Sequence, residues 1–133
     1  MRKKVMVVDD DPDIRFTVNC ILEPMGFNVI TVDGALECIE ELRRGFRGVI
    51  LMDIMMPNMD GWKAIRKIAN RGFLEGNIIC ILSARHNLDV SSERLGDMDL
   101  YYMQKPIDRD ELIECVEEYC SLVEDTEAVA LCG

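Results

Sequence analysis

Very little in these 133 residues supports soft-metal, nucleotide-loop or membrane chemistry. There is one histidine, His86, and no C-x-x-C pair among six cysteines, so a zinc centre lacks both the paired thiolates and the imidazoles that it needs. Neither G-x-G-x-x-G nor a Walker-type loop is present, which removes the usual nucleotide cradles. Apolar runs stop far short of the roughly 20 residues of a membrane helix, and the four apolar residues after Met1-Arg2-Lys3-Lys4 are too few for a signal-peptide core. Low-complexity segments and linkers rich in Pro, Gly or Ser are missing too. Basic residues are the minority, 15 against 25 acidic, for a net charge of −10. That balance argues against a nucleic-acid backbone as direct partner and favours solubility, with cations or basic surfaces as counterparts. Unpaired cysteines, four of them inside apolar patterns, read as reduced thiols of a cytoplasmic protein with no membrane insertion.

What is present is an alternation. Short apolar runs at Val5–Val8, Val29–Val32, Val49–Met52, Ile78–Leu82 and Leu100–Met103 are each followed by a segment of helical periodicity, the pattern of β-α units on a parallel sheet. The third and fourth runs contain no polar residue and predict strands buried on both faces. The second, Phe27 to Val32, carries Asn28 and Thr31 and fits an edge.

Asp11-Pro12 supplies a cap and a first helical residue. Ile14, Val18, Ile21, Leu22 and Met25 then form one apolar face, and Pro24 with Gly26 stops it. A second helix follows Asp33-Gly34 on Ala35, Cys38, Ile39 and Leu42, and a third follows Asp60-Gly61 on Trp62, Ile65, Ile68 and Ala69. The stretch from His86 to Leu95 is the weakest helix, because Asn87, Asp89, Ser91 and Ser92 compete for backbone hydrogen bonds. The last helix starts at Asp108 and Glu111 and carries Leu112, Val116, Tyr119 and Val123. One domain over 1–124 and a frayed tail over 125–133 are expected.

Three apolar runs are closed by groups that make poor core: Asp9-Asp10, Asp53 and Ser83. Lys105-Pro106 follows the fifth. An acid at a strand end can simply terminate the strand. The carboxyl edge of an open α/β sheet is, however, where ligands bind, and neighbouring strands would bring these groups together. Carboxylates so close need a proton, a cation or an ammonium to offset their repulsion. Oxygen-only ligands in an open cleft suit Mg²⁺, and a carboxylate can act as nucleophile toward phosphorus.

The set Val8-Asp9-Asp10-Asp11, Asp53 with Met56-Pro57-Asn58-Met59-Asp60-Gly61, Ser83-Ala84, and Tyr102 ahead of Lys105-Pro106 resembles the receiver domain of two-component response regulators, of the chemotaxis-regulator kind, from about Lys4 to Val123. The resemblance implies a flavodoxin-like (βα)5 fold, a doubly wound five-stranded parallel sheet in the order 2-1-3-4-5. Asp53 then matches the phosphoacceptor, supplied by a sensor histidine kinase or a phosphotransfer protein. Asp10 matches the direct Mg²⁺ ligand, with Mn²⁺ or Ca²⁺ as substitutes. Asp9 matches the acid that helps to hold the metal, and Met55 a backbone carbonyl ligand. Ser83 and Tyr102 match the switch pair, and Lys105 the family's ammonium, usually before a cis bond to Pro106.

Met55 and Arg85, two residues past Asp53 and Ser83, are expected to overhang the phosphoryl group and tune its lifetime. Output would run to a downstream protein or a self-dimer through the last two helices and last strand. Such a domain is a signalling receiver, not an enzyme on a free substrate; it would catalyse only its own phosphotransfer and autodephosphorylation. The alternative is a receiver-like interaction module that signals without phosphate. One departure stands out: Gly96 is followed by Asp97-Met98-Asp99 where receivers often carry a Gly-Ala pair. With Tyr101 and Tyr102 adjacent, the pleat sends their rings to opposite sides. Nothing after residue 123 has the pattern of an output domain, which leaves a stand-alone receiver and a fragment both open.

Overall fold

Strand formation follows the apolar runs closely. The computed structural model describes residues 3–54, 61–83 and 101–132, with side chains to 123. It contains β1 (Lys4–Val8), α1 (Pro12–Leu22), a 3-10 turn (Glu23–Met25), β2 (Asn28–Val32), α2 (Ala35–Arg43), β3 (Val49–Asp53), α3 (Gly61–Asn70), β4 (Ile78–Ser83), β5 (Tyr101–Gln104) and α4 (Arg109–Cys132). The five strands form one parallel sheet in the order β2-β1-β3-β4-β5, so the doubly wound order expected from the resemblance is the one observed. The segment from His86 to Leu95, and with it the weakest predicted helix, lies outside the described residues.

Period-two alternation splits the core in two. Met6, Val8, Ile50, Met52, Ile79 and Ile81 face α2 and α3, packing on Cys38, Ile39, Leu42, Ile65 and Ile68. Val5, Val7, Val49, Leu51, Cys80 and Leu82 face α1 and α4, packing on Val18, Leu22, Leu112 and Val116. Every residue of β3 is buried, which explains why its run has no polar position before Asp53. Each such aliphatic side chain contributes about 1.5–3 kcal/mol by leaving water. A charge at Leu51 would therefore break the central strand.

The helix starts are set by acids. Asp11 Oδ1 accepts from the N–H of Asp13 at 2.9 Å and Pro12 opens α1; Asp108 Oδ2 accepts from the N–H of Glu111 at 2.9 Å at the start of α4. One difference from the sequence reading appears. Met25 leaves the apolar stripe, because Pro24 lacks the N–H that would continue α1. The chain tightens into the 3-10 turn, Gly26 takes φ 93°, and Met25 is 47% exposed. The backbone of α4 also runs on past residue 124, where the apolar pattern ends, to Cys132. No Gly or Pro interrupts Glu124 to Cys132, and Glu, Ala and Leu favour the helix.

Candidate functional site at the sheet's carboxyl edge

The strand order places a switch point between β1 and β3, where the chain leaves β1 toward β2 on one side and returns to β3 on the other. The crevice outside such a point is the ligand position of open α/β sheets. Asp9 and Asp10 follow β1 directly and Asp53 closes β3. Asp9, Asp53 and Ser83 are the buried polar side chains among the described residues, and all three lie at this edge. Burial of polar groups is costly unless they are paired, so their concentration at one edge marks a built site.

One carboxylate oxygen from each of Asp9, Asp10 and Asp53 lies within 4.8 Å of the others, with Asp10 exposed. From the far side of the sheet, Lys105 Nζ donates to Asp9 Oδ2 at 2.9 Å and lies 3.6 Å from Asp53 Oδ2. Burial by itself pushes the lysine down. The hydrogen bond to Asp9 and the charges of Asp53 and Asp9 outweigh it, so the ammonium is held above the ordinary lysine value. The backbone delivers Lys105 to this spot: its N–H donates to the carbonyl of Ser83 at 2.7 Å, and the Lys105–Pro106 peptide is cis. Ser83 itself is buried at the end of β4, beside Asp53's strand.

The N-terminal turn is held at three points. Asp9 Oδ1 accepts from the N–H of Asp11 at 3.0 Å, Asp9 Oδ2 takes the lysine, and the carbonyl of Asp9 accepts from Arg15 Nη1 at 2.7 Å. Arg15 has no signal in the sequence as a site residue; it sits between Ile14 and Phe16, on the flank of α1's apolar stripe.

The two tyrosines part as the pleat requires. Tyr101 packs toward α4, its ring centroid 4.6 Å from that of Tyr119. Tyr102 packs against the cluster on the α2 and α3 side. Its hydroxyl oxygen is buried with no hydrogen-bond partner among the described residues, and burial raises its pKa. Met55 and Arg85 lie outside the described residues.

Among the described residues, three oxygen donors and no soft ligand fit a hard divalent cation, and one ammonium against three carboxylates leaves the cluster short of positive charge. Fold and crevice thus define an α/β domain with an acidic site at its switch point. A model of the response regulator receiver domain matches residues 5–117. The chain is 29% identical over 128 residues to Protein PilG of Pseudomonas aeruginosa, covering 96% of this chain and 94% of that protein. It is 35% identical over 119 residues to the DNA-binding transcriptional regulator NtrC of Escherichia coli, covering 88% of this chain and 24% of that protein. A crystal structure of a CheY-like response regulator receiver domain protein from Methanospirillum hungatei superposes with TM-score 0.85 at 38% identity, over 94% of this chain and 99% of that one. The chain belongs to the response regulator receiver domain family. No helix among the described residues is long and apolar enough to cross a membrane.

Proposed function

We propose that this receiver domain accepts a phosphoryl group on Asp53 from a phosphohistidine of a partner protein and passes the signal on by a change of surface. The observation that carries the reading is the convergence of Asp9, Asp10 and Asp53 within 4.8 Å, with the ammonium of Lys105 on Asp9 and Asp53. An Asp53 carboxylate oxygen attacks phosphorus, the phosphorus–nitrogen bond of the donor breaks, and the electron pair leaves on the imidazole, which takes up a proton. Lys105 is placed to donate to a phosphoryl oxygen as it leaves Asp53's own charge, and phosphoryl transfer gains most from such electrostatic placement. Asp10, Asp53 and the carbonyl of Met55, with Asp9 behind them, would hold Mg²⁺, which supplies further neutralisation of phosphoryl charge when bound.

Ser83, buried beside Asp53, is the hydroxyl assigned to the phosphoryl oxygen, and Tyr102, whose hydroxyl has no partner among the described residues, is the ring assigned to respond. An apolar Met55 is assigned to hinder the attacking water and Arg85 to tune the lifetime by shielding or by charge; Met55→Asn is expected to shorten the phosphoryl lifetime. The setting is the cytoplasm, with the last strand and last helix as part of the output face.

The reading is tested by incubating the protein with phosphoramidate or acetyl phosphate and Mg²⁺, then weighing it intact. One added phosphoryl group, lost in Asp53→Asn and on addition of EDTA, is expected. No gain under conditions that leave the fold intact would favour a receiver-like module that signals without phosphate.

A further inference from the structure

We propose that Arg15 is a positioning residue for the cation site, acting through the peptide unit that joins Asp9 to Asp10. This rests on reading Asp9, Asp10 and Asp53 as holding a divalent cation. Arg15 Nη1 donates to the carbonyl oxygen of Asp9 at 2.7 Å, and that carbonyl belongs to the same planar unit as the nitrogen of Asp10. The next peptide unit, between Asp10 and Asp11, is held from its other side, because the N–H of Asp11 donates to Asp9 Oδ1 at 3.0 Å.

Asp10 therefore sits between two held planes. It needs both, for its side chain is exposed and has no hydrogen-bond partner among the described residues. Asp9, by contrast, is fixed through its own carboxylate, with Lys105 on one oxygen and Asp11 on the other. The two held peptides fix the direction in which the Asp10 side chain leaves the main chain, and so which of its rotamers bring the carboxylate within reach of Asp53. Without Arg15, the Asp9–Asp10 plane can tilt and carry that carboxylate out of the cluster.

The neighbouring structure does not depend on this bond. β1 is paired on both sides through Val8, and the N–H of Asp9 donates to the carbonyl of Val32 at 3.2 Å. α1 has its own cap in Asp11. What is left for Arg15 to fix is the orientation of one peptide. A guanidinium suits this task, being charged at every accessible pH and rigid at its donor end.

The test is Mg²⁺ affinity of the whole chain by calorimetry, for wild type, Arg15→Gln and Arg15→Lys, with urea stability measured alongside. Arg15→Gln is expected to bind Mg²⁺ on the order of tenfold more weakly, as for other groups that orient a metal ligand from behind. Arg15→Lys should recover part of the loss. The Mg²⁺ concentration for half-maximal phosphorylation by phosphoramidate should rise by the same factor, with a smaller change in the maximal rate. Asn77→Ala serves as control, since Asn77 braces Gly48 and Phe73 at the opposite edge of the sheet; it should lower stability with Mg²⁺ affinity intact. Arg15→Gln binding within twofold of wild type, or Asn77→Ala losing affinity equally, overturns the proposal. Failure of the wild type to bind Mg²⁺ at millimolar concentration removes the cation site itself, and this role of Arg15 with it.

Discussion

Lys105 and Asp9, 96 residues apart in sequence, meet at 2.9 Å, Nζ to Oδ2, although two strands, β3 and β4, separate the strands that they follow. Asp9 has no exposed surface. A carboxylate so placed is tolerable only with its charge met, and the lysine is the cation that meets it. The same ammonium stands 3.6 Å from Asp53, so one group serves a fixed partner and the carboxylate assigned to chemistry.

Removing one side of that pair should be worse than removing both. Lys105→Met leaves Asp9 buried beside Asp53 with no ammonium, and is expected to cost about 3 kcal/mol at neutral pH without added cation. Asp9→Asn in the same chain should return part of the loss, because one buried carboxylate, Asp53, is then left without the ammonium instead of two. A urea-denaturation cycle of the two single variants and the double measures the coupling. Additivity would mean that the contact carries no energy.

Gly61 opens α3 where the chain returns past Asp53. A Cβ there would lie 2.5 Å from Ile54 Cα and 3.0 Å from the Asp53 carbonyl oxygen, both main-chain atoms that cannot turn aside. Gly61→Ala is expected to destabilise by about 2 kcal/mol or more and to slow phosphoryl acceptance by displacing the backbone of Asp53. Urea titration and the rate of mass gain with phosphoramidate check the two effects.

Burial pushes the thiols of Cys38 and Cys80 from 9.0 up to about 12. Between those values the unfolded chain has released protons that the folded chain retains, so unfolding gains as pH rises. The stability these thiols supply is whole below about pH 9 and is lost on the way to about 12; the raised lysine at position 105 acts in the same direction at its own, higher range. Urea midpoints from pH 8 to 11 should fall steadily. At pH 8, iodoacetamide should label exposed Cys20 and spare Cys38 and Cys80 in the folded protein.

Tyr102→Phe removes a buried hydroxyl that has no partner among the described residues. Loss of an unsatisfied group relieves its desolvation, so the variant is expected to be as stable as wild type or up to ~1 kcal/mol more stable. A loss above that amount in urea would show that the hydroxyl is bonded in solution.

The fold was legible because its central strands are buried on both faces. Val49 to Met52 and Ile78 to Leu82 tolerate no polar residue, so the first polar group after each run, Asp53 or Ser83, announces the sheet's edge. Asp11-Pro12 likewise marks the start of α1, since the cap accepts from one orphan N–H of the first turn and the proline has no N–H to leave unpaired. The role of Arg15 was not legible, because its partner is a main-chain carbonyl, which every residue has. Met25 shows the converse: its spacing fits the apolar stripe, but Pro24 changes the helical pitch just before it. The backbone of residues 125–132 reads as tail by its mixed polarity, while its helix propensity, without Gly or Pro, carries α4 onward to Cys132.

The most direct measurement locates the phosphoryl group. After incubation with phosphoramidate and Mg²⁺, borohydride reduction converts an acyl phosphate of aspartate to homoserine, and the tryptic peptide between Arg47 and Lys63 reports it by tandem mass spectrometry. Conversion at Asp53, with Asp60 in the same peptide unchanged and no conversion without Mg²⁺, is predicted. Conversion at another acid, or none in a protein shown to be folded, would contradict Asp53 as the phosphoacceptor.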